Sequence, residues 1–430
     1  KEAYAFVDFL KEAGQKLWQI LPLGPTGYGD SPYQAFSTFA GNPYLIDLEE
    51  LIENGWLTEE ECENTDWGGS KSYVDYEKMY QGRFPLLRKA YHNSHIAENA
   101  EFIAFCEEND WWLSDYALFM AIKDSQGGAS FLEWDAPLKL REPEAIRRCR
   151  HELSDEICFW QFLQYLFAKQ WQALKAYANG KGISIIGDIP IYVALDSADT
   201  WSHPELFQLS EGCVPKAVAG VPPDAFSATG QLWGNPLYAW DRMQADGFGW
   251  WIRRVDGASK LYDVIRIDHF RGFDAYWAVP FGETTAKNGH WVKGPGMSLV
   301  GVLTSWFPQL RFIAEDLGYP TPGVQQLLQD SGLPGMKVLE FAFDSRDTSS
   351  YLPHSYTENC VCYTGTHDNS PLALWKDEAA PEDIDCAREY LGLNDREGFN
   401  WGIIRGGMSS VARLFVAQMQ DYLELGLHHR

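Results

Sequence analysis

Tyr262-Asp263-Val264-Ile265-Arg266-Ile267-Asp268-His269-Phe270-Arg271-Gly272-Phe273 decides how the rest of the chain is read. Its first half alternates as a strand does, with Val264, Arg266 and Asp268 on one face and Ile265 and Ile267 on the other. Apolar residues on both faces suit a buried strand of a parallel sheet. An Arg and an Asp two residues apart in such a strand are costly, because charges taken out of water must be paired. They are kept either as a structural ion pair or as chemistry. Repetition elsewhere in the chain favours chemistry.

Three further segments have the same form, a short apolar strand that ends on acidic or polar residues. Ile183–Val193 carries Asp188, with Pro190 as its punctuation. Arg311–Gly318 carries Glu315 and Asp316, and Cys360–Asn369 carries His367 and Asp368. Strands separated by helical stretches, each with a carboxylate at its C-terminal end, describe a parallel barrel with its site on the C-terminal rim. The expected fold class is therefore α/β, a (β/α)8 TIM-type barrel with inserted subdomains. Four strands reaching one rim would gather Asp188, Asp268, Glu315 and Asp368.

The domain pattern follows from what lies between the strands. Residues 47–155 are acidic, helical and rich in Trp and Tyr, too long for a βα connection, and are expected as an inserted helical subdomain. Residues 1–46 and 156–430 then form the catalytic barrel. The helix Asp155–Ala178, closed by Gly180, leads back to the Asp188 strand. A second insertion, 194–259, contains Ala219–Tyr238, where paired prolines and flanking glycines suggest a stiff loop with hinged ends, a lid over the site. Ser409–Met419 is apolar enough for a late helix or a last barrel strand.

Composition limits the partners. With 60 Asp and Glu against 35 Lys and Arg, the net charge of −25 argues against nucleic acid and anionic membrane, which need a basic face. No run is long and apolar enough to span a bilayer, and the first residues lack a signal-peptide core. The eight cysteines are scattered without zinc or CxxC spacing, as expected of reduced thiols in a cytoplasmic protein. Aromatics make up 15% of the chain, and rings beside hydroxyl-binding groups suit a sugar, although a large core absorbs rings too.

Rim carboxylates with an adjacent Arg and His fit metal-assisted hydrolysis or glycosyl transfer. A metal site would need more His ligands or a dense Asp/Asn loop. Glycosyl chemistry needs an ionised nucleophile and a protonated carboxyl. Arg266 beside Asp268 favours the first, and burial behind Ile313 favours a proton on Glu315.

Taken together, Ser31-Pro-Tyr-Gln34, Gly187-Asp-Ile-Pro190, Gly220-Val-Pro-Pro-Asp224, Trp233-Gly-Asn-Pro236, Arg266-Ile-Asp-His-Phe-Arg-Gly272, Ala314-Glu-Asp-Leu-Gly318 and Gly365-Thr-His-Asp-Asn369 resemble the motifs of the amylomaltases, or disproportionating enzymes. These are 4-alpha-glucanotransferases of the alpha-amylase superfamily, and the resemblance covers nearly the whole chain. It implies Asp268 as nucleophile, Glu315 as acid/base and Asp368 as the third carboxylate gripping sugar hydroxyls. Asp188, Arg266 and His367 would support them, and Tyr33, Phe226, Trp233 and Asn235 would contact glucan. No cofactor is implied, and the partners would be maltooligosaccharides, starch or glycogen. Set against that resemblance, the family's first barrel strand, ahead of Glu2, and its last basic, aromatic segment are expected to be missing from this chain. Two rival readings remain: an alpha-1,4-glucan hydrolase of the same superfamily and a non-catalytic glucan-binding protein.

Overall fold

The computed structural model describes every residue except 28, 71–72, 225–226, 319–320, 345–350 and 427–430. The chain forms two compact units, Lys1–Asp268 with Gly272–Arg311, and His269–Arg271 with Phe312–Arg430. Both show the α/β character expected from the alternation of apolar runs and helical stretches.

The strands of the first unit are, in chain order, β1 (Leu17–Gln19), β2 (Ser184–Ile189), β3 (Ala217–Val221), β4 (Gln231–Pro236), β5 (Val264–Ile267), β6 (Ala275–Pro280) and β7 (His290–Lys293). β1, β2 and β5 lie side by side in parallel, with Trp18 opposite Ile185 and Asp188 opposite Arg266. All four residues of β5 are buried, as a strand covered on both faces must be. β2 is shorter than the 183–193 run suggested, because Pro190 offers no N–H to continue the ladder. Gly187 lets β2 lie against the Tyr262 ring, since a Cβ there would fall 2.1 Å from the ring's Cγ.

The chain reaches β2 through the helix Ser154–Gly180, which buries Phe159, Leu163, Leu166, Leu174 and Ala178. Gly180, expected to close this helix, is its last residue. The reversal falls at Gly182, whose φ of +80° suits a residue without a side chain. Ahead of it lie helices at Leu48–Glu53, Glu59–Glu63, Tyr76–Ser94, Ala100–Ser125 and Pro143–Glu152, with no strand among the described residues of 47–155. Ala100–Ser125 packs along Ser154–Gly180. Much of the aromatic content is spent inside this unit, where Trp201, Trp251, Tyr116, Tyr238, Phe119 and Phe131 are fully buried.

The segment read as a hinged loop differs from expectation. β3 and β4 flank its tip and join β6 and β7 in an antiparallel sheet of order β4-β3-β6-β7. Gly220, expected as a hinge, is held inside β3 between Leu232 and Trp277. A Cβ on Gly220 would meet the Gln231 carbonyl oxygen at 2.6 Å, so the glycine serves close strand approach. Gly230, with φ +68°, does supply a turn.

The second unit holds β8 (Arg311–Ala314, from Phe312 onward), β9 (Gly335–Val338), β10 (Cys360–Tyr363) and β11 (Leu414–Val416), paired in parallel in that order. The Ser409–Met419 run thus contains a strand. Its core gathers Leu339, Phe343, Cys360, Cys362, Leu372, Ala387 and Ile403. Each such aliphatic or aromatic side chain contributes roughly 1.5–3 kcal/mol by leaving water. The helix Pro322–Ser331 between β8 and β9 begins on Thr321, whose hydroxyl accepts from Val324 N–H, and stops at Gly332 in the left-handed region. Among the described residues no helix is long and apolar enough to cross a membrane.

Candidate active site

In the first unit the parallel register of β2 and β5 creates the central cluster. Asp188 and Arg266 are direct neighbours, so their side chains leave the sheet on the same side. Arg266 Nη1 donates to both Asp188 oxygens at 2.7 Å and to Asp268 Oδ1 at 2.9 Å. The Arg266 and Asp188 side chains are each 2% exposed, whereas that of Asp268 is 25% exposed. One buried cation therefore holds one buried and one accessible carboxylate. Tyr33, on the loop after β1, donates its hydroxyl to Asp188 Oδ2 at 2.6 Å. Burial foremost, then the charges of Asp188 and Asp268, push the Tyr33 phenol far above its ordinary value, so it stays an O–H donor.

Two further candidates belong to this unit. Trp233, in β4, is half-buried, with its indole N–H on Gln231 Oε1 and its ring 6.4 Å from that of Tyr192. Asn235 is buried, donating to the Val193 carbonyl at 2.8 Å and accepting from Gln34 Nε2 at 3.2 Å. Its amide thus braces the Tyr33 loop through Gln34, the residue after Tyr33. Phe226 lies outside the described residues.

In the second unit Glu315 follows β8 and is 9% exposed. Its carboxylate is held by main-chain donors, with His269 N–H on Oε2 at 2.7 Å and Leu317 N–H on Oε1 at 2.8 Å. Phe270 N–H adds a bond to the Glu315 carbonyl at 2.9 Å. His269 adopts φ +51°, a left-handed conformation uncommon outside glycine. Burial foremost, with Arg271 adding to it, depresses the His269 imidazole to about 3, so it is neutral at working pH. The residue bonded to His269 on its N-terminal side is Asp268. Asp316 points back into the unit, accepts from Met336 N–H at 2.7 Å, and has its carboxyl raised by burial.

His367 and Asp368 lie on the loop after β10, with His367 Nε2 3.4 Å from Asp368 Oδ2. The Asp368 side chain is 78% exposed, the most open of the four expected carboxylates. Below it the Asn369 side-chain oxygen accepts from Thr366 N–H and Oγ1, each at 2.9 Å, closing a tight turn. Gln34, His269 and Leu317 escaped the reading of the sequence. The last two act through backbone N–H groups, which no side-chain pattern reveals. Among the described residues no group of three or more His, Cys, Asp or Glu side chains is placed to hold a metal ion.

Chemically, the first unit offers an accessible carboxylate set against a guanidinium, and the second a desolvated carboxyl plus an exposed one. Groups of these kinds at the ends of parallel strands are suited to chemistry on glycosidic bonds.

Comparison with known proteins is specific. The model of the 4-alpha-glucanotransferase family matches residues 1–430. A 4-alpha-glucanotransferase of Clostridium butyricum is 49% identical over 428 residues, covering 99% of this chain and 88% of the relative. One from Thermus thermophilus is 48% identical, covering 100% and 87%. The solved structure of a Streptococcus agalactiae amylomaltase in complex with acarbose superposes with a TM-score of 0.96 at 43% identity, covering 99% of this chain and 87% of that one. The chain belongs to the 4-alpha-glucanotransferase family and is thereby a hexosyltransferase.

Proposed function

We propose that this protein transfers segments of alpha-1,4-glucan to the 4-hydroxyl of glucose or another glucan by a retaining double displacement. The observation that carries the reading is the single Arg266 Nη1 that binds buried Asp188 and accessible Asp268 together. A carboxylate fixed in this way stays ionised and aimed, as a nucleophile requires. An Asp268 oxygen attacks the sugar C1, and the electron pair of the C1–O bond passes to the leaving oxygen. That oxygen takes a proton from Glu315, the acid of the pair. Glu315, now a carboxylate, removes the proton of an acceptor 4-hydroxyl. The acceptor oxygen attacks C1 and expels Asp268, and two inversions restore the starting configuration.

Asp368 and His367 grip the hydroxyls of the sugar being transferred, and Tyr33 and Trp233 contact the glucan. The amylomaltase solved with acarbose supports maltooligosaccharides, and through them starch or glycogen, as the partners. Eight free cysteines support a reducing compartment, the cytoplasm.

The test is product analysis after incubation with maltotriose. Glucose plus a ladder of longer saccharides supports transfer, whereas glucose and maltose alone would make the protein a hydrolase. Asp268→Asn is expected to lower kcat by several orders of magnitude while saccharide binding survives. Glu315→Gln, given a glycosyl fluoride that needs little acid assistance, is expected to accumulate a covalent adduct. An adduct mapping outside Ile265–Phe270 would remove Asp268 as nucleophile.

A further inference from the structure

The loop that presents His367 and Asp368 is tied at both ends to one residue that the chemistry above does not use. Thr364, the first residue after β10, is fully buried. Its backbone is fixed on both sides, accepting from Glu340 N–H at 3.2 Å and donating to the Val416 carbonyl at 3.2 Å. From Gly365 to Pro371 the chain then runs free of the ladder, until Leu372 opens the helix Leu372–Glu378. Asp421, in the short helix Met419–Tyr422, is 0% exposed and spans this gap. Thr364 Oγ1 donates to Asp421 Oδ2 at 2.5 Å, and Leu372 N–H donates to Asp421 Oδ1 at 2.7 Å. Asn400 Nδ2 holds the Asp421 carbonyl at 3.1 Å.

We propose that Asp421 is a positioning residue for the transfer reaction, clamping the entry and exit of the 365–371 loop so that Asp368 and His367 meet the sugar in a fixed place. The inference rests on the reading of Asp368 as the third carboxylate. A buried carboxylate that joined two core elements for stability alone could bond anywhere along them. This one bonds to the last residue before the loop and the first residue after it. Asp368 lies four positions from either tie, so an error at one end would be passed on to it, and small misplacements of a catalytic group cost large factors in rate.

The experiment is a double-mutant cycle on the full chain, with maltotriose and a maltotriosyl fluoride as donors. Asp421→Ala is expected to lower kcat at least about tenfold per folded molecule, with KM changed less than about twofold. Asp421→Asn, whose amide can accept from Leu372 and donate to Thr364 Oγ1, is expected to recover most of that loss. In an Asp368→Asn background the further effect of Asp421→Ala is expected to fall below about twofold. Thr364→Val, which removes one tie without emptying the site, repeats the pattern at smaller size and carries the test if Asp421→Ala fails to fold. Equal fold-losses in both backgrounds, or a lower folded fraction with unchanged kcat, would overturn the clamp. If Asp368→Asn alone turned over at the full rate, the role of Asp368 would fall, and the clamp would be judged on the kcat of Asp421→Ala.

Discussion

Replacing Arg266 with Met would strand Asp188, a side chain 2% exposed whose two oxygens both accept from the guanidinium at 2.7 Å. Removing one partner of a buried pair typically costs about 3–5 kcal/mol, because the remaining charge has no solvent to return to. Among the described residues only the Tyr33 hydroxyl would still bond to it. Neutralising the stranded group with Asp188→Asn in the same background should recover most of that cost, since an amide can still accept from Tyr33. Removal of a buried pair as a whole is often close to neutral. A global melt summed over two compact units is not a single equilibrium, so the readout should be local. Amide hydrogen exchange of peptides covering 184–189 and 264–267 reports opening of this sheet region. We expect faster exchange in Arg266→Met and near-parental exchange in Arg266→Met/Asp188→Asn. Neither protein should transfer glucan, because Asp268 has lost the Nη1 donor at 2.9 Å. If the double variant exchanged as fast as the single one, Asp188 would not be the source of the cost. If it stayed active, the cluster would be scaffolding rather than chemistry.

Three further outcomes follow from positions already described. His269 titrates near 6.5 when unfolded and at about 3 when folded, so below pH 6.5 the unfolded chain holds the extra proton and stability falls as pH drops toward 3. That deficit is about 2 kcal/mol at pH 5 as a ceiling for a part-exposed residue; His269→Asn, tolerated at φ +51°, should flatten the acid side of a stability–pH curve, and an unchanged slope would count against it. Gly187→Ala drives a methyl to 2.1 Å from the Tyr262 ring and should cost about 1–3 kcal/mol of local stability, read by amide hydrogen exchange of the peptide covering 184–189. The cost should vanish when Gly187→Ala is added to Tyr262→Ala, and its persistence there would place the clash elsewhere. Trp233→Ala should raise the hydrolysis-to-transfer ratio more than it lowers total bond cleavage, because water gains access to the glycosyl-enzyme. Equal loss of both activities would make Trp233 a general substrate contact.

The carboxylates were legible because they stand where hydrophobic alternation stops. An apolar strand with Asp at its end is a conspicuous break, and Asp188, Asp268 and Glu315 are each found by it. The hairpin of β3 and β4 was harder. Its glycines and prolines carry the composition of a loop, while its strand character comes from pairing with β6, which is distant in sequence. Asn235 entered as a sugar contact through the resemblance alone. Its hydrogen bonds to Val193 and Gln34 are long-range and left no local trace. His269 shows the limit most plainly, since what it offers Glu315 is an N–H that any residue except proline possesses.

That main-chain grip on Glu315 also equips the protein with two spectroscopic indicators. An amide proton bonded to a carboxylate resonates differently once the oxygen is protonated, because the charge that polarises the N–H bond has gone. The His269 and Leu317 amides, one on each oxygen of Glu315, therefore register its charge from opposite sides. With nitrogen-15 in the backbone and no label on the side chain, their resonances would trace a titration of Glu315 in the resting protein. Repeating the titration with a trapped glycosyl intermediate would show which protonation state waits for the acceptor.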